Sequence, residues 1–268
     1  MRIWAIAGLA MLCASGAFAQ ERARLNDRGA VLGWEAVGRL DLGSGTCTGT
    51  LIARDLVLTA AHCVVDSGSG QVLPVDSMVF RAGYTNGASN ATRGVRKVVV
   101  ADGYLSASNL TDRIRRDLAL LRLDSEIFSS EADPFKIHAS ATDEMRVTLV
   151  SYGRGRNEAL QRESGCRLTE TYRGGVMTFD CDVTFGSSGA PVFTRENGLL
   201  RILSVISMMS EAEGREKEAI GMSLPAVVAA MKREMRMDAA QAPVTAGAKR
   251  VSVGQRSSGG ARFVRPGG

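Results

Sequence analysis

The stretch Leu58-Thr59-Ala60-Ala61-His62-Cys63 decides how the rest of the chain is interpreted. The sequence contains only two histidines, and His62 follows an apolar run, Leu56-Val57-Leu58, that predicts a β-strand. A cysteine comes immediately after it, and a second one, Cys47, lies a short loop upstream. A strand on one side and a candidate disulfide on the other would hold this imidazole firmly, as general-base catalysis requires. The other histidine, His138, has no such surroundings, and we expect it at the surface.

The N-terminal residues 1–19 have the pattern of a secretory signal peptide. Arg2 supplies the positive charge, residues 3–12 form the apolar run, and Ala17-Phe18-Ala19 is a small-x-small cleavage site. The apolar run is too short to span a bilayer, and no later segment is longer. We therefore expect a secreted or periplasmic protein that begins at Gln20 and has no membrane span.

Export would place the remaining four cysteines in an oxidising compartment, which favours disulfides. Four cysteines allow three pairings, and pairing neighbours, Cys47 with Cys63 and Cys166 with Cys181, closes two short loops. Each such loop is worth about 3 kcal/mol in the chain-entropy model. A zinc site is disfavoured because the sequence has no Cys-x-x-Cys spacing. We predict no metal and no cofactor.

The formal charge of +5 belongs to the C-terminal end of the chain. Residues 232–268 contain eight Lys or Arg and two Asp or Glu, whereas residues 20–231 contain 24 Lys or Arg and 26 Asp or Glu. The body therefore presents no excess of positive charge, and no phosphate loop or nucleic-acid module occurs. We expect no nucleic-acid partner. The Gly-, Ala- and Arg-rich segment 237–268 is predicted to be a disordered basic tail.

A dozen short apolar runs, separated by Gly, Asn, Asp and Ser, follow one another from Trp34 onward. This spacing indicates an all-β barrel or sandwich, and the missing crossover helices disfavour a parallel α/β fold. Helical periodicity occurs only near the end. There Ser223 can cap a helix, Pro225 suits its first turn, and apolar residues recur at helical spacing, which predicts a helix over residues 224–236.

Two further stretches carry chemistry. Asp117 precedes the apolar run Leu118-Ala119-Leu120-Leu121, so it is either a turn residue or a buried carboxylate with a dedicated partner. In Gly186-Ser187-Ser188-Gly189-Ala190-Pro191, glycines flank a serine pair before an apolar strand. Successive amides there could stabilise an oxyanion, although a plain Gly/Ser turn is the alternative.

Together with the His62 segment, these stretches resemble the signature segments of trypsin-like, chymotrypsin-fold serine proteases, in the family's order His, Asp, Ser. The likeness extends to Cys47-Thr48-Gly49-Thr50-Leu51-Ile52 and to residues 204–207, and covers residues 34–236. It implies an all-β fold of two antiparallel six-stranded β-barrels, over residues 34–130 and 140–222, with the active site in the cleft between them and a C-terminal helix.

The resemblance also implies residue roles. Ser188 would be the nucleophile, His62 the general base and Asp117 the residue that orients it. The amides of Gly186 and Ser188 would form the oxyanion hole. The expected activity is therefore that of a serine endopeptidase, with a peptide or protein as its substrate and the monomer as its working form.

The sequence departs from the animal digestive branch of the family. Ser187 stands where that branch has an aspartate that pairs with a newly cleaved N-terminal amine, and no Ile-Val-Gly-Gly start occurs. The serine motif is closer to secreted bacterial members, including glutamyl-endopeptidase-like enzymes. Residues 20–33 are either a frayed terminus or a short pro-segment.

Substrate specificity is open at this stage. Asp182 lies six residues before Ser188, where trypsin-type enzymes carry the acid that binds Arg or Lys. The alternative, which a single acid at this spacing leaves favoured, is that it caps a turn in the loop between Cys181 and Gly186. Ser207, Met208 and Met209 are further candidates for the substrate-binding wall, and two methionines would narrow the pocket. Two other functions are considered: a catalytically silent homologue that binds a partner, and an acyl hydrolase acting on esters.

Overall fold

Two antiparallel β-barrels, built from consecutive halves of the chain, form this protein. The computed structural model describes residues 21–139, 146–210 and 218–241, with side chains as far as 237. The predicted signal peptide and nearly all of the predicted basic tail lie outside these residues. The strands are β1 (Glu21–Leu25), β2 (Val37–Asp41), β3 (Thr46–Ala53), β4 (Leu56–Thr59), β5 (Val79–Ala82), β6 (Ala91–Val100), β7 (Ala119–Leu123), β8 (Arg146–Ser151), β9 (Leu160–Thr171), β10 (Val176–Phe179), β11 (Pro191–Glu196), β12 (Leu199–Ser210) and β13 (Glu218–Met222). The helices are α1 (Arg28–Val31), α2 (Ala61–Val64), α3 (Leu110–Arg115) and α4 (Pro225–Gln241), and a 3₁₀ turn covers Val75–Ser77.

The first barrel closes in the order β2-β3-β4-β7-β6-β5, with every neighbouring pair antiparallel. Its interior is filled by large apolar side chains with no solvent exposure, among them Leu40, Leu51, Phe80 and Leu121. Gly38 is required by this packing, because a Cβ there would lie 2.4 Å from the Phe80 ring. Burial of these side chains against one another is the main force that holds the barrel closed.

The second barrel closes in the order β8-β9-β10-β13-β12-β11, because β9 pairs with β8 as well as with β10. Its core includes Leu149, Phe179 and Val192. The predicted fold of two six-stranded antiparallel barrels with a C-terminal helix is confirmed. The strands of the first barrel occupy residues 37–123 and those of the second occupy 146–222.

The N-terminal segment adds a strand to the sheet of the second barrel, outside the closed ring of six strands. All five residues of β1 pair with β9, from Glu21 opposite Ser164 to Leu25 opposite Leu160. Leu25 at the end of the strand is 3% exposed and belongs to the core cluster that joins the two halves of the chain. The segment that the sequence left open as a frayed end or pro-segment is thus packed into the body of the protein.

Helix α4 covers the strands with an apolar stripe. Val228, Met231 and Met235 are buried along one of its faces, and Leu224 is buried just before it. These are the positions at which the sequence shows helical spacing. No helix in the described ranges is long and apolar enough to cross a membrane.

Replacing Leu25 with Ala is expected to destabilise the whole domain, because it leaves a cavity where β1 meets the core. The expected loss in the free energy of unfolding is about 2–4 kcal/mol, measured by urea denaturation. Arg24→Ala is the matched control, since Arg24 is an exposed neighbour on the same strand, and its expected effect is within about 0.5 kcal/mol. Equal stability of the two variants would show that β1 is only loosely attached.

Candidate active site

His62 is placed by the short helix α2, which follows directly on strand β4. The disulfide between Cys47 and Cys63 ties this helix to β3. The backbone amide of His62 donates to Asp117 Oδ1 at 2.9 Å, and its ring Nδ1 lies 2.7 Å from Asp117 Oδ2. An ionised carboxylate can only accept, so Nδ1 is the donor in this contact, and in a neutral imidazole Nε2 is then the acceptor. The His62 side chain is 37% exposed and borders the cleft.

Asp117 is a buried carboxylate and not a solvent-exposed turn residue. It is 3% exposed and stands between α3 and β7, where its amide donates to Ile114 O at 3.1 Å. Besides its two contacts with His62, its Oδ2 accepts from Ser207 Oγ at 2.5 Å. Burying a charge is tolerable when charge-assisted hydrogen bonds of this kind replace water. Burial and, after it, the negative charge of Asp117 raise the pKa of Tyr104.

The loop that carries the serine pair, residues 182–189 (here the serine loop), is anchored to the first barrel by Thr48 of β3. The Thr48 amide donates to Ser188 O at 2.9 Å, and the Thr48 hydroxyl donates to Gly186 O at 2.9 Å. The same hydroxyl accepts from the Tyr152 amide at 3.0 Å. Gly189, with φ +78°, is required by the close approach, since a Cβ there would lie 2.2 Å from Thr48 O. Sequence analysis missed the anchoring role of Thr48, because its partners lie far away in the chain.

The two serines of the motif occupy different environments. Ser187 has no solvent exposure, and its hydroxyl donates to Tyr152 O at 3.2 Å. Ser188 is half-buried and, together with His62, lines two adjoining cavities of the cleft. Among the described residues, none accepts a hydrogen bond from the amide of Gly186 or Ser188. Two such amides beside a serine hydroxyl can bind an oxyanion.

A cavity of about 400 Å³ opens beside Ser188. Ser207, Met208 and Met209 are part of its wall. The described residues that line it are His62, Val183, Thr184, Phe185, Ser188, Ile206, Ser207, Met208 and Met209.

Asp182 does not line this cavity. Its carboxylate lies 2.6 Å from Arg22 Nη2 and 3.6 Å from Arg156 Nη1. The carboxylate of Asp182 is thus engaged by two arginines, whereas the other candidates for substrate binding line the cavity.

The ligand atoms of Cys47, His62 and Cys63 lie within 4.8 Å of one another, but both sulfurs belong to the disulfide and are not thiolates that could bind zinc. The second disulfide of the structure joins Cys166 to Cys181 just before the serine loop.

The expectation that His138 is a surface residue was wrong: it is 6% exposed, and its Nε2 lies 3.8 Å from Glu196.

Thr48→Val is expected to lower the free energy of unfolding by about 2–3 kcal/mol, because Gly186 O and the Tyr152 amide each lose a buried hydrogen-bond partner. Thr50→Val is the matched control on the same strand. Its hydroxyl is equally buried but has no partner among the described residues, so this change should be neutral or stabilising. Urea denaturation of the two variants measures the difference, and equal losses would contradict the anchoring role of Thr48.

Comparison with known proteins places this geometry in context. A family model described as trypsin-like peptidase domain matches residues 47–200. The Modular serine protease of Drosophila melanogaster is 38% identical over 84 residues, which are 29% of this chain and 13% of that protein. Serine protease SP24D of Anopheles gambiae is 36% identical over 85 residues, 32% of this chain and 28% of that protein. The matched segments thus span less than a third of either relative.

Solved structures share the fold at low sequence identity. A Glu endopeptidase in complex with MPD superposes with a TM-score of 0.68 at 18% identity and covers 82% of this chain and 98% of its own. Protease Anisep from Arthrobacter nicotinovorans gives a TM-score of 0.60 at 18% identity, with coverages of 75% and 94%. The thermostable serine protease AL20 from an extremophilic microorganism gives 0.62 at 16% identity, with coverages of 76% and 97%. The resemblance found in the sequence is confirmed: this chain belongs to the trypsin-like peptidase domain family.

Proposed function

We propose that this protein is a serine endopeptidase in which Ser188 is the nucleophile, His62 the general base and Asp117 the residue that orients His62. The observation that carries the proposal is the arrangement at the cleft. Nδ1 of the His62 imidazole lies 2.7 Å from Asp117 Oδ2, and His62 and Ser188 line the same cavity. A serine hydroxyl becomes a competent nucleophile only when such a base accepts its proton.

The proposed reaction proceeds through an acyl-enzyme. Ser188 Oγ attacks the carbonyl carbon of the peptide bond while its proton passes to His62 Nε2. The amides of Gly186 and Ser188 donate to the resulting oxyanion, and Asp117 stabilises the imidazolium. His62 then gives its proton to the leaving amine as the C–N bond breaks. Water, deprotonated by the same imidazole, hydrolyses the ester to release the acid product and restore Ser188.

Export from the cytoplasm is part of the proposal. The N-terminal 19 residues have the composition of a cleavable signal peptide, and both disulfides are of the kind that persists in an oxidising compartment. We therefore assign the protein to the secreted or periplasmic proteins.

A fluorophosphonate probe tests the catalytic assignment. We expect covalent labelling of the wild-type protein and cleavage of an unstructured protein substrate such as casein. Ser188→Ala should abolish labelling and lower kcat by about a millionfold, because no alkoxide can form at position 188. Intact-mass and peptide mass spectrometry locate the adduct.

Ser187→Ala is the neighbouring control, and we expect it to retain the adduct on Ser188. Persistent labelling of Ser188→Ala, or an adduct on Ser187, would refute the assignment. A wild-type protein that takes up no probe would favour the silent homologue. Hydrolysis of small esters without cleavage of peptides would favour the ester hydrolase.

The cavity beside Ser188 supports a preference for apolar side chains at P1, the residue before the cleaved bond. Its described wall contains Val183, Ile206, Met208 and Met209, and no Lys, Arg, Asp or Glu. A charged P1 side chain would lose its water there without gaining an opposite charge, which is costly. The described wall thus fits neither the basic P1 of trypsin-type enzymes nor a glutamyl P1.

We expect peptides with Leu, Met or Phe at P1 to be cleaved with kcat/KM at least about a hundredfold higher than peptides with Arg, Lys or Glu, since an unpaired buried charge costs several kcal/mol. Matched fluorogenic peptides that differ only at P1 measure the ratio. A preference for Arg, Lys or Glu would contradict the proposed pocket without affecting the assignment of Ser188.

A further inference from the structure

We propose that Arg22, on the N-terminal strand β1, is a positioning residue for the serine loop. Arg22 forms an ion pair with Asp182, the first residue of the serine loop. Through this ion pair, a strand that lies outside both closed barrels sets the conformation of the segment that carries Ser188. The inference rests on the proposed function, because the expected effect of losing Arg22 is a lower rate of catalysis at Ser188.

The geometry joins three charged side chains from different parts of the chain. Arg22 stands opposite Glu163 in the β1–β9 pairing, and its Nη2 lies 3.2 Å from Glu163 Oε2. The same nitrogen lies 2.6 Å from Oδ2 of Asp182, the first residue of the serine loop. The Asp182 amide in turn donates to the Glu163 carboxylate, at 3.1 Å to Oε2. One guanidinium therefore bridges the strand wall of the second barrel and the start of the serine loop.

The positive charge of Arg22 stabilises the ionised form of Glu163 more than that of Asp182, because Glu163 is the more buried of the two acids. Glu163 is 4% exposed, and burial raises its pKa, so its charged form is already disfavoured. Arg22 and Asp182 are partly open to solvent, and their direct ion pair taken alone is worth little. Without Arg22, the carboxylates of Glu163 and Asp182 would face each other. Of the two acids, Arg156 contacts only Asp182, at 3.6 Å, and Arg22 is the one cation that pairs with Glu163 among the described residues.

The consequence for the site follows from the two ends of the serine loop. Its far end is held to the first barrel by Thr48, through Gly186 O and Ser188 O. Its near end is held at Asp182 by Glu163 and Arg22, directly after the disulfide cysteine Cys181. The residues between the two anchors, 183–185, line the cavity beside Ser188. Release of the near end would let the cavity wall and the oxyanion amides shift, and a displacement of about 1 Å can cost about a hundredfold in rate.

The variant Arg22→Gln tests the inference, because it removes the charge and retains the backbone pairing and the long side chain. We expect its kcat/KM for an apolar-P1 peptide, and its rate of fluorophosphonate labelling, to fall by about tenfold or more. Arg24→Gln is the matched control two residues along the same strand, where the side chain is exposed, and it should behave as wild type. Arg22→Lys should lie closer to wild type than Arg22→Gln does. Near-UV circular dichroism and urea denaturation verify that each variant is folded at the assay temperature.

A second change separates positioning from general stability. In Arg22→Gln the repulsion between Glu163 and Asp182 is the expected cause of the defect, so the added substitution Asp182→Asn should restore a substantial part of the labelling rate. A role limited to holding β1 in place predicts no such rescue. If Arg22→Gln is too unstable to assay, the labelling rates of Arg22→Lys and of Arg22→Gln/Asp182→Asn are measured instead. Both variants are expected to be active, and an inactive but folded variant of either kind would contradict the inference.

Three outcomes would overturn the inference: wild-type rates in a folded Arg22→Gln, no gain from Asp182→Asn in that background, or an Arg22→Lys variant as slow as Arg22→Gln. Each leaves the proposed function standing, provided that the wild-type protein labels at Ser188 and cleaves peptides. A wild-type protein that does neither overturns the proposed function and this inference together.

Discussion

The contact between the serine loop and strand β3 is the constraint on which the rest of the site depends. Each barrel closes on its own hydrogen bonds, so nothing in either barrel alone brings Ser188 to His62. Thr48 makes the connection: its amide donates to Ser188 O and its hydroxyl to Gly186 O, while its own carbonyl accepts from the Thr59 hydroxyl at 2.8 Å. The approach is so close that only glycine fits at position 189. The amides of Gly186 and Ser188 are therefore held by the same barrel that holds His62.

The buried carboxylate makes the same connection from the other side. Asp117 comes from the first barrel, yet one of its hydrogen-bond donors is Ser207 on β12 of the second. A charge buried to this degree is stable only with its donors in place, because each one lost leaves an unsatisfied ionic acceptor. Separation of the barrels would thus break both the Thr48 contacts and the hydrogen bond that Asp117 accepts from Ser207. The proposed triad and the interface between the barrels are stabilised by the same hydrogen bonds.

The sequence predicted what depends on local pattern and missed what depends on distant partners. Short apolar runs and turn residues predicted an all-β barrel or sandwich, and the family resemblance narrowed this to two antiparallel six-stranded barrels. Helical spacing near Ser223 predicted the C-terminal helix. The two barrels and the helix are all present. The segments around His62, Asp117 and Ser188 were recognisable because each has its own local signature. Thr48 has none, since its role comes from carbonyls 138 and 140 positions later in the chain. His138 was wrongly expected at the surface, because a single polar residue among mixed neighbours does not reveal the strands that will cover it.

An acid at the position of Asp182 can either bind a cationic substrate side chain or pair with an arginine of the same chain. Six residues before Ser188, an acid would bind a cationic substrate side chain if it stood free in the cavity wall. A carboxylate there would have to lose water with no opposite charge until a substrate arrived, and an arginine within reach is the more favourable partner. Arg22 is that arginine, and it comes from a strand 160 positions earlier in the chain. The pairing of β1 with β9 brings Arg22 next to Asp182. The carboxylate of Asp182 therefore pairs with Arg22 and is not part of the described cavity wall, which is largely apolar. Under the proposed function, substrate preference is therefore determined partly by a segment that never borders the cavity.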